Sequence, residues 1–237
     1  MITLHPYHAL GKASHGWLKS SHHFSFADYY NPRRMGFGSL LVINDDWIKA
    51  GTGFPPHPHR NMEIITYVRS GAVTHEDNRG HKGVTKNGEV QVMSAGTGIV
   101  HSEYNMGNSP LVLYQIWIKP NKANIKPRWE AKKFPTASSK DALTLLVSGY
   151  PEDKGKALFI QQEARLFGGK LKAGTRLEHP VRHQAYVLAS EGRFEIRDGE
   201  GKTTLNKGDG AEVTKSKSMT ITALTDCEVV VIDAPAK

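Results

Sequence analysis

Short runs in which apolar and polar residues alternate, or in which β-branched residues follow one another, recur along the whole chain and are broken by Gly, Asn and Asp. Runs of this length bounded by turn formers predict β-strands. In the first half they fall at 38–43 (GSLLVI), 63–68 (EIITYV), 89–93 (EVQVM) and 111–118 (LVLYQIWI). In the second half they fall at 157–161, 184–189, 193–197, 218–223 and 228–233. The segments between them, NDD at 44, EDNRG at 76 and RDGEG at 197, suit hairpins. No stretch sustains a 3.6-residue period, so the pattern predicts an all-β sandwich or barrel with antiparallel neighbours.

The two halves also resemble each other. YVRSGAVTH turns around Gly71 and VLASEGRFEI around Gly192, 121 residues later. At nearly the same offset Gly53 answers Gly174, and Gly88 answers Gly208. A self-similar period of this size indicates a duplicated unit. The expected division is an N-terminal domain at 1–118, a linker rich in Pro and Lys at 119–140, and a C-terminal domain at 141–237.

Composition narrows the functional classes. With 38% hydrophobic and 23% charged residues, the 237-residue chain has the make-up of a globular protein. Six of the eight excess positive charges lie within 119–140, which carries seven Lys and Arg against one acidic residue. A charged connecting segment accounts for this, and no nucleic-acid-binding signature accompanies it, so direct nucleic-acid binding is not expected. No apolar run is long enough to cross a bilayer, and the first residues do not form a leader pattern, so a cytoplasmic chain is expected. The single cysteine, Cys227, cannot form an intrachain disulfide and opens the run CEVVVID, which predicts a buried strand thiol.

Ten of the twelve histidines lie in the first 101 residues, and two pairs stand out: His57-Pro58-His59 and His101-Ser102-Glu103. In an extended segment residues i and i+2 point to one face, so each pair offers two ligand groups to the same side. Pro58 cannot donate to a strand ladder, which places the first pair at a strand end or sheet edge. Around them stand Gly51, His57, His59, Glu63 and Gly71, then Gly88, Ser94, Gly96, His101 and Asn105.

This arrangement resembles the two motifs of the cupin superfamily, with Ser94 where the second motif has Pro and two extra residues between Gly96 and His101. The phrases HFSFADYYNP at 23–32, HPHRNMEIITYV at 57–68 and MSAGTGIVHSEYN at 93–105 resemble the pirin branch. That resemblance implies a bicupin of two stacked antiparallel β-barrels of jelly-roll type, with one metal ion in the first. Its ligands would be His57, His59, His101 and Glu103; the wider cupin pattern would instead nominate Glu63, and the same-face spacing from His101 favours Glu103.

Three imidazoles and a carboxylate suit Fe(II), and the same donors admit Zn, Ni, Co, Cu or Mn. The resemblance further implies a dioxygenase that cleaves flavonols such as quercetin with O2 and releases carbon monoxide, with Glu103 as the base. The alternative it carries is a metal-dependent regulator that binds a protein partner. Phe24, Phe26, Val42, Phe54 and Met93 are candidates for an apolar wall. At the 121-residue offset the second half has Glu178, Pro180 and Thr222 in place of the three histidines, so no second metal site is expected there.

Overall fold

A computed structural model of the chain describes residues 1–236. Among the described residues regular structure consists of strands and two three-residue 3-10 turns, Tyr7–Ala9 and Pro151–Asp153. The strands of the first part are β1 (Ile2–His5), β2 (Gly11–Ser14), β3 (Leu18–His22), β4 (Leu40–Ile48), β5 (Gly53–His59), β6 (Glu63–Ser70), β7 (Ala72–Asp77), β8 (Lys82–Lys86), β9 (Glu89–Ser94), β10 (Ile99–Tyr104), β11 (Leu111–Ile118) and β12 (Arg128–Lys133). There follow β13 (Thr144–Ser148), β14 (Leu158–Phe159), β15 (Arg165–Leu171), β16 (Arg176–Pro180), β17 (Gln184–Glu191), β18 (Arg193–Arg197), β19 (Lys202–Asn206), β20 (Gly210–Val213), β21 (Ser218–Ala223) and β22 (Cys227–Ala234).

Two compact units result: residues 11–134 with 158–162, and residues 1–10, 135–157 and 163 onward. The first unit has a seven-stranded sheet in the order β12-β9-β6-β11-β4-β3-β2 and a four-stranded sheet in the order β5-β10-β7-β8. In the second unit the larger sheet contains β1-β20-β17-β22-β15-β13 in that order, and the smaller one is β16-β21-β18-β19. The small sheets thus match strand for strand. Apolar residues at alternate positions build each core, as in β21, where Met219, Ile221 and Ala223 are buried between half-exposed neighbours.

The all-β, jelly-roll-type expectation holds, but closed barrels do not form. Among the described residues no strand pairing joins the two sheets of a unit, so each unit is an open two-sheet sandwich. The edge strand β5 contains Pro55, Pro56 and Pro58, which have no N–H to extend the ladder, and β16 ends in Pro180.

Sheet membership also departs from chain order. β1, expected with the N-terminal half, pairs with β20 over four residues, and Ile2 and Leu4 pack on the core of the second unit. β12, inside the expected linker, pairs with β9 over six residues. β9 and β20 occupy the same place in the two sheets, so each half gains an edge strand from outside its expected span. The expected strand at 157–161 contracts to the two residues of β14.

Gly71 and Gly192 sit at the same hairpin in the two units, with φ of 78° and 69°. A Cβ at Gly71 would lie 2.9 Å from the Pro110 carbonyl oxygen, and one at Gly192 would lie 2.1 Å from that of Asp226. A left-handed conformation costs a non-glycine residue about 1–3 kcal/mol before any clash. Thermal unfolding should therefore show both Gly71→Ala and Gly192→Ala destabilised by at least about 1 kcal/mol, with Gly192→Ala the worse of the two.

Candidate metal centre

β5 and β10 run antiparallel, with His57 opposite His101 and His59 opposite Ile99. His57 and His59 project on one face, and His101 meets them from the neighbouring strand. The ring centroids are 4.8 Å apart for His57 and His59, 4.5 Å for His57 and His101, and 4.9 Å for His59 and His101. One nitrogen of each lies within 4.8 Å of the other two. His57 donates through Nδ1 to the Pro55 carbonyl at 2.7 Å, which leaves its Nε2 with the lone pair.

Burial, followed by the proximity of His57, holds the His59 imidazole down to about 4. Burial and then the neighbouring His57, His59 and His75 hold His101 down to about 2. Both are therefore neutral and able to act as ligands. Nε2 of His101 is buried and has no hydrogen-bond partner among the described residues. Leaving such an atom unmatched costs about 1–3 kcal/mol, and a divalent transition metal satisfies it together with its two neighbours. The donor set thus fits a metal ion.

Glu103, two residues beyond His101, is buried. Its Oε1 accepts hydrogen bonds from Gln91 Nε2 at 2.8 Å and Thr66 Oγ1 at 3.3 Å, and its Oε2 accepts from Gln115 Nε2 at 2.8 Å. Burial pushes its carboxyl up to about 7 against the pull of these three bonds. The three imidazoles form one group of potential ligand atoms within 4.8 Å of one another, Glu103 forms another with His101 and His75, and all four expected ligands line one cavity. The three donors hold the carboxylate where it is, and the ladder between β10 and β5 shifts register between His101 and Glu103.

Glu63 belongs to neither set. Its Oε2 accepts from Ser94 Oγ at 2.7 Å, so the serine that stands in place of the motif proline holds the alternative carboxylate. Burial raises Glu63 to about 7.

The three imidazoles and Glu103 line a cavity of about 190 Å³, walled by Leu18, Phe26, Phe54, Ile64 and Trp117. Trp117 meets the His59 ring edge to face at 5.0 Å. Of the five hydrophobic residues expected there, Phe26 and Phe54 take part, whereas Phe24, Val42 and Met93 are buried core. Asp46 also lines the cavity; its Oδ1 is buried without a partner, and burial raises its carboxyl to about 7. Asp46, Thr66, Gln91, Gln115 and His75 do not stand out in the sequence. Their one signal is a polar residue at a strand position where the alternation calls for an apolar one.

The family model described as Pirin matches residues 3–118, and the one described as quercetinase C-terminal cupin domain matches residues 145–234. A pirin-like protein of Caulobacter vibrioides is 47% identical over 99% of this chain and 100% of that protein. The chain belongs to the pirin family. A pirin relative from Escherichia coli K12, named quercetin 2,3-dioxygenase, is 42% identical over 99% of both chains. The crystal structure of the bacterial pirin YhhW from Escherichia coli in complex with nickel(II) superposes with a TM-score of 0.91, at 40% identity, over 100% of both chains.

The second half of this pirin repeats the strands without the chemistry. Thr66 faces Gln91 and Gln115 across β6, β9 and β11, and at the corresponding place Val187 faces Ala211 and Val231 across β17, β20 and β22. Glu103 faces His75 where Ile221 faces Ile196, and by the same register His101 corresponds to Met219 rather than to Thr222. All six replacements belong to one hydrophobic core. His179, on β16, is buried with an unpartnered Nε2 and packs on Phe167 at 4.6 Å. Cys227 is a buried thiol raised to about 11 by burial and then by Asp226, as the strand pattern predicts.

This correspondence generates a prediction. Gln115→Val alone leaves the buried Glu103 carboxylate one donor short and should lower unfolding stability by about 1–3 kcal/mol. The fourfold variant Thr66→Val, Gln91→Ala, Glu103→Ile and Gln115→Val copies the apolar set of the second half and should recover most of that loss in denaturant titration.

Proposed function

We propose that this chain is a metal-dependent dioxygenase that opens flavonols such as quercetin with O2, its divalent metal, Fe(II), held by His57, His59, His101 and Glu103. The observation that carries this reading is the convergence of three imidazoles, one with a buried unpartnered Nε2, on the wall of an apolar cavity that also holds two buried carboxyls. The name of the Escherichia coli relative and the nickel(II) in YhhW support it. A bound divalent cation supplies Lewis acidity to the adjacent hydroxyl and carbonyl oxygens of a flavonol, and Fe(II) adds reactivity towards O2.

The chain's own residues supply binding, orientation and proton transfer. Phe26 and Trp117, edge to face at 5.5 Å, with Phe54, Leu18 and Ile64, give a flat aromatic ring system apolar walls and keep water from it. At about 190 Å³ the cavity is smaller than the roughly 300–1,000 Å³ that encloses a drug-sized ligand. The fused rings enter and the pendant ring stays at the mouth.

The two carboxyls divide the remaining work. A carboxylate has about four acceptor positions, and Glu103 already accepts from Thr66, Gln91 and Gln115. Its remaining capacity serves the cation. Asp46, whose Oδ1 accepts nothing from the protein, takes the proton of the substrate hydroxyl, and its raised pKa of about 7 suits a base working near neutrality.

Iron-loaded protein should consume O2 with quercetin and release carbon monoxide, and chelator-treated protein should not. His101→Ala should lose both bound iron and turnover. Asp46→Asn should keep its iron, by elemental analysis, while turnover drops about 10²- to 10⁴-fold. Equal turnover by metal-free protein would contradict the reading, and full activity in Asp46→Asn would return the proton to Glu103.

A further inference from the structure

β7 carries His75 and Asp77 two residues apart on one face, and both side chains are wholly buried. Neither lines the cavity. His75 Nε2 lies 2.9 Å from Asp77 Oδ2, and His75 Nδ1 lies 3.3 Å from His101 Nδ1. A carboxylate can only accept, so His75 donates through Nε2, and in the neutral ring its Nδ1 holds the lone pair. That lone pair faces His101 Nδ1, which must donate in turn. His101 is then left with its free lone pair on Nε2, the atom that has no hydrogen-bond partner among the described residues.

We propose that Asp77 and His75 form a hydrogen-bonded relay that fixes the tautomer of His101, making both of them positioning residues for the metal. With both rings neutral, every other placement of their protons sets donor against donor or acceptor against acceptor at one of the two contacts. The inference rests on the reading of His101 as a ligand through Nε2.

The relay is anchored at its far end and along its flank. Asp77 Oδ1 accepts from the backbone amides of Arg79 at 2.8 Å and His81 at 3.1 Å, and its Oδ2 lies 2.9 Å from His81 Nδ1. Trp129, on β12, stacks on the His75 ring at 5.0 Å with 10° between the planes. The indole fits because β8 has Gly83 beneath it, where a Cβ would lie 2.3 Å from Trp129 Cη2. His75 is thereby held between Trp129, Asp77 and His101 and cannot turn to exchange its nitrogens. An outer carboxylate–imidazole pair of this kind fixes ligand orientation and raises ligand basicity, and its loss weakens metal binding about 10- to 100-fold.

Asp77→Asn reverses the relay without changing its shape. The amides of Arg79 and His81 claim the one remaining oxygen, so the carboxamide NH2 faces His75 Nε2. His75 must then carry its proton on Nδ1, and His101 is forced to carry its own on Nε2, where it blocks the metal. Long-range 1H–15N correlation spectra of the metal-free protein should show His101 protonated on Nδ1 in the wild type and on Nε2 in Asp77→Asn. Competition for Ni2+ against a chromophoric chelator should show affinity about 10- to 100-fold lower in the variant.

His75→Phe keeps the stack on Trp129 but removes the acceptor behind His101, and it should also bind Ni2+ more weakly. It tests the relay by a second route if Asp77→Asn folds poorly. A wild-type spectrum with His101 protonated on Nε2 would overturn the relay. So would wild-type Ni2+ affinity in Asp77→Asn and His75→Phe beside a weakened His101→Ala. If His101→Ala itself binds Ni2+ as the wild type does, the metal reading falls, and the positioning role falls with it.

Discussion

The site depends on one constraint: three imidazoles from two adjacent strands are packed closely enough that their nitrogens face one another, in surroundings that keep His59 and His101 uncharged. Neutral nitrogen lone pairs that converge do not satisfy each other. A shared cation resolves this, and the surrounding structure supports that arrangement. The Pro55 carbonyl orients His57, the cage of Thr66, Gln91 and Gln115 holds Glu103 in place, and Trp117 packs on His59.

Duplication shows what that arrangement replaces. Both units build the same small four-stranded sheet, and both turn the same hairpin at a left-handed glycine. At matched registers one unit buries Glu103, Thr66, Gln91, Gln115 and His75, while the other buries Ile221, Val187, Ala211, Val231 and Ile196. An apolar core needs only complementary shapes, whereas the polar version must match every donor and acceptor. The polar unit carries that stricter requirement where the chemistry is.

Much of this was legible from residue patterns. Alternation located the central strands of both cores, β4, β6, β9, β11, β17, β18, β21 and β22, because a half-buried strand has a period of two wherever one face meets the core. The pairs at 57/59 and 101/103 were legible for the same reason. Other features depend on partners that alternation does not specify. The two sheets of each unit stay unpaired, with Pro55, Pro56 and Pro58 on the edge strand β5 of the first, a matter of sheet neighbours rather than strand content. β12 hides in a segment whose lysines resemble a linker. The bonds that hold Glu103 come from three other strands, and the Ser94–Glu63 bond explains a motif departure that the sequence presents only as an irregularity.

The central claim is that these imidazoles share one cation with the Glu103 carboxylate. Anomalous diffraction at the absorption edge of the metal, on crystals of protein loaded with Fe(II) without oxygen or with Ni(II), tests it directly. One strong peak is expected, bonded to Nε2 of His57, His59 and His101 and to a carboxylate oxygen of Glu103. A peak elsewhere, or none at full loading, would contradict it.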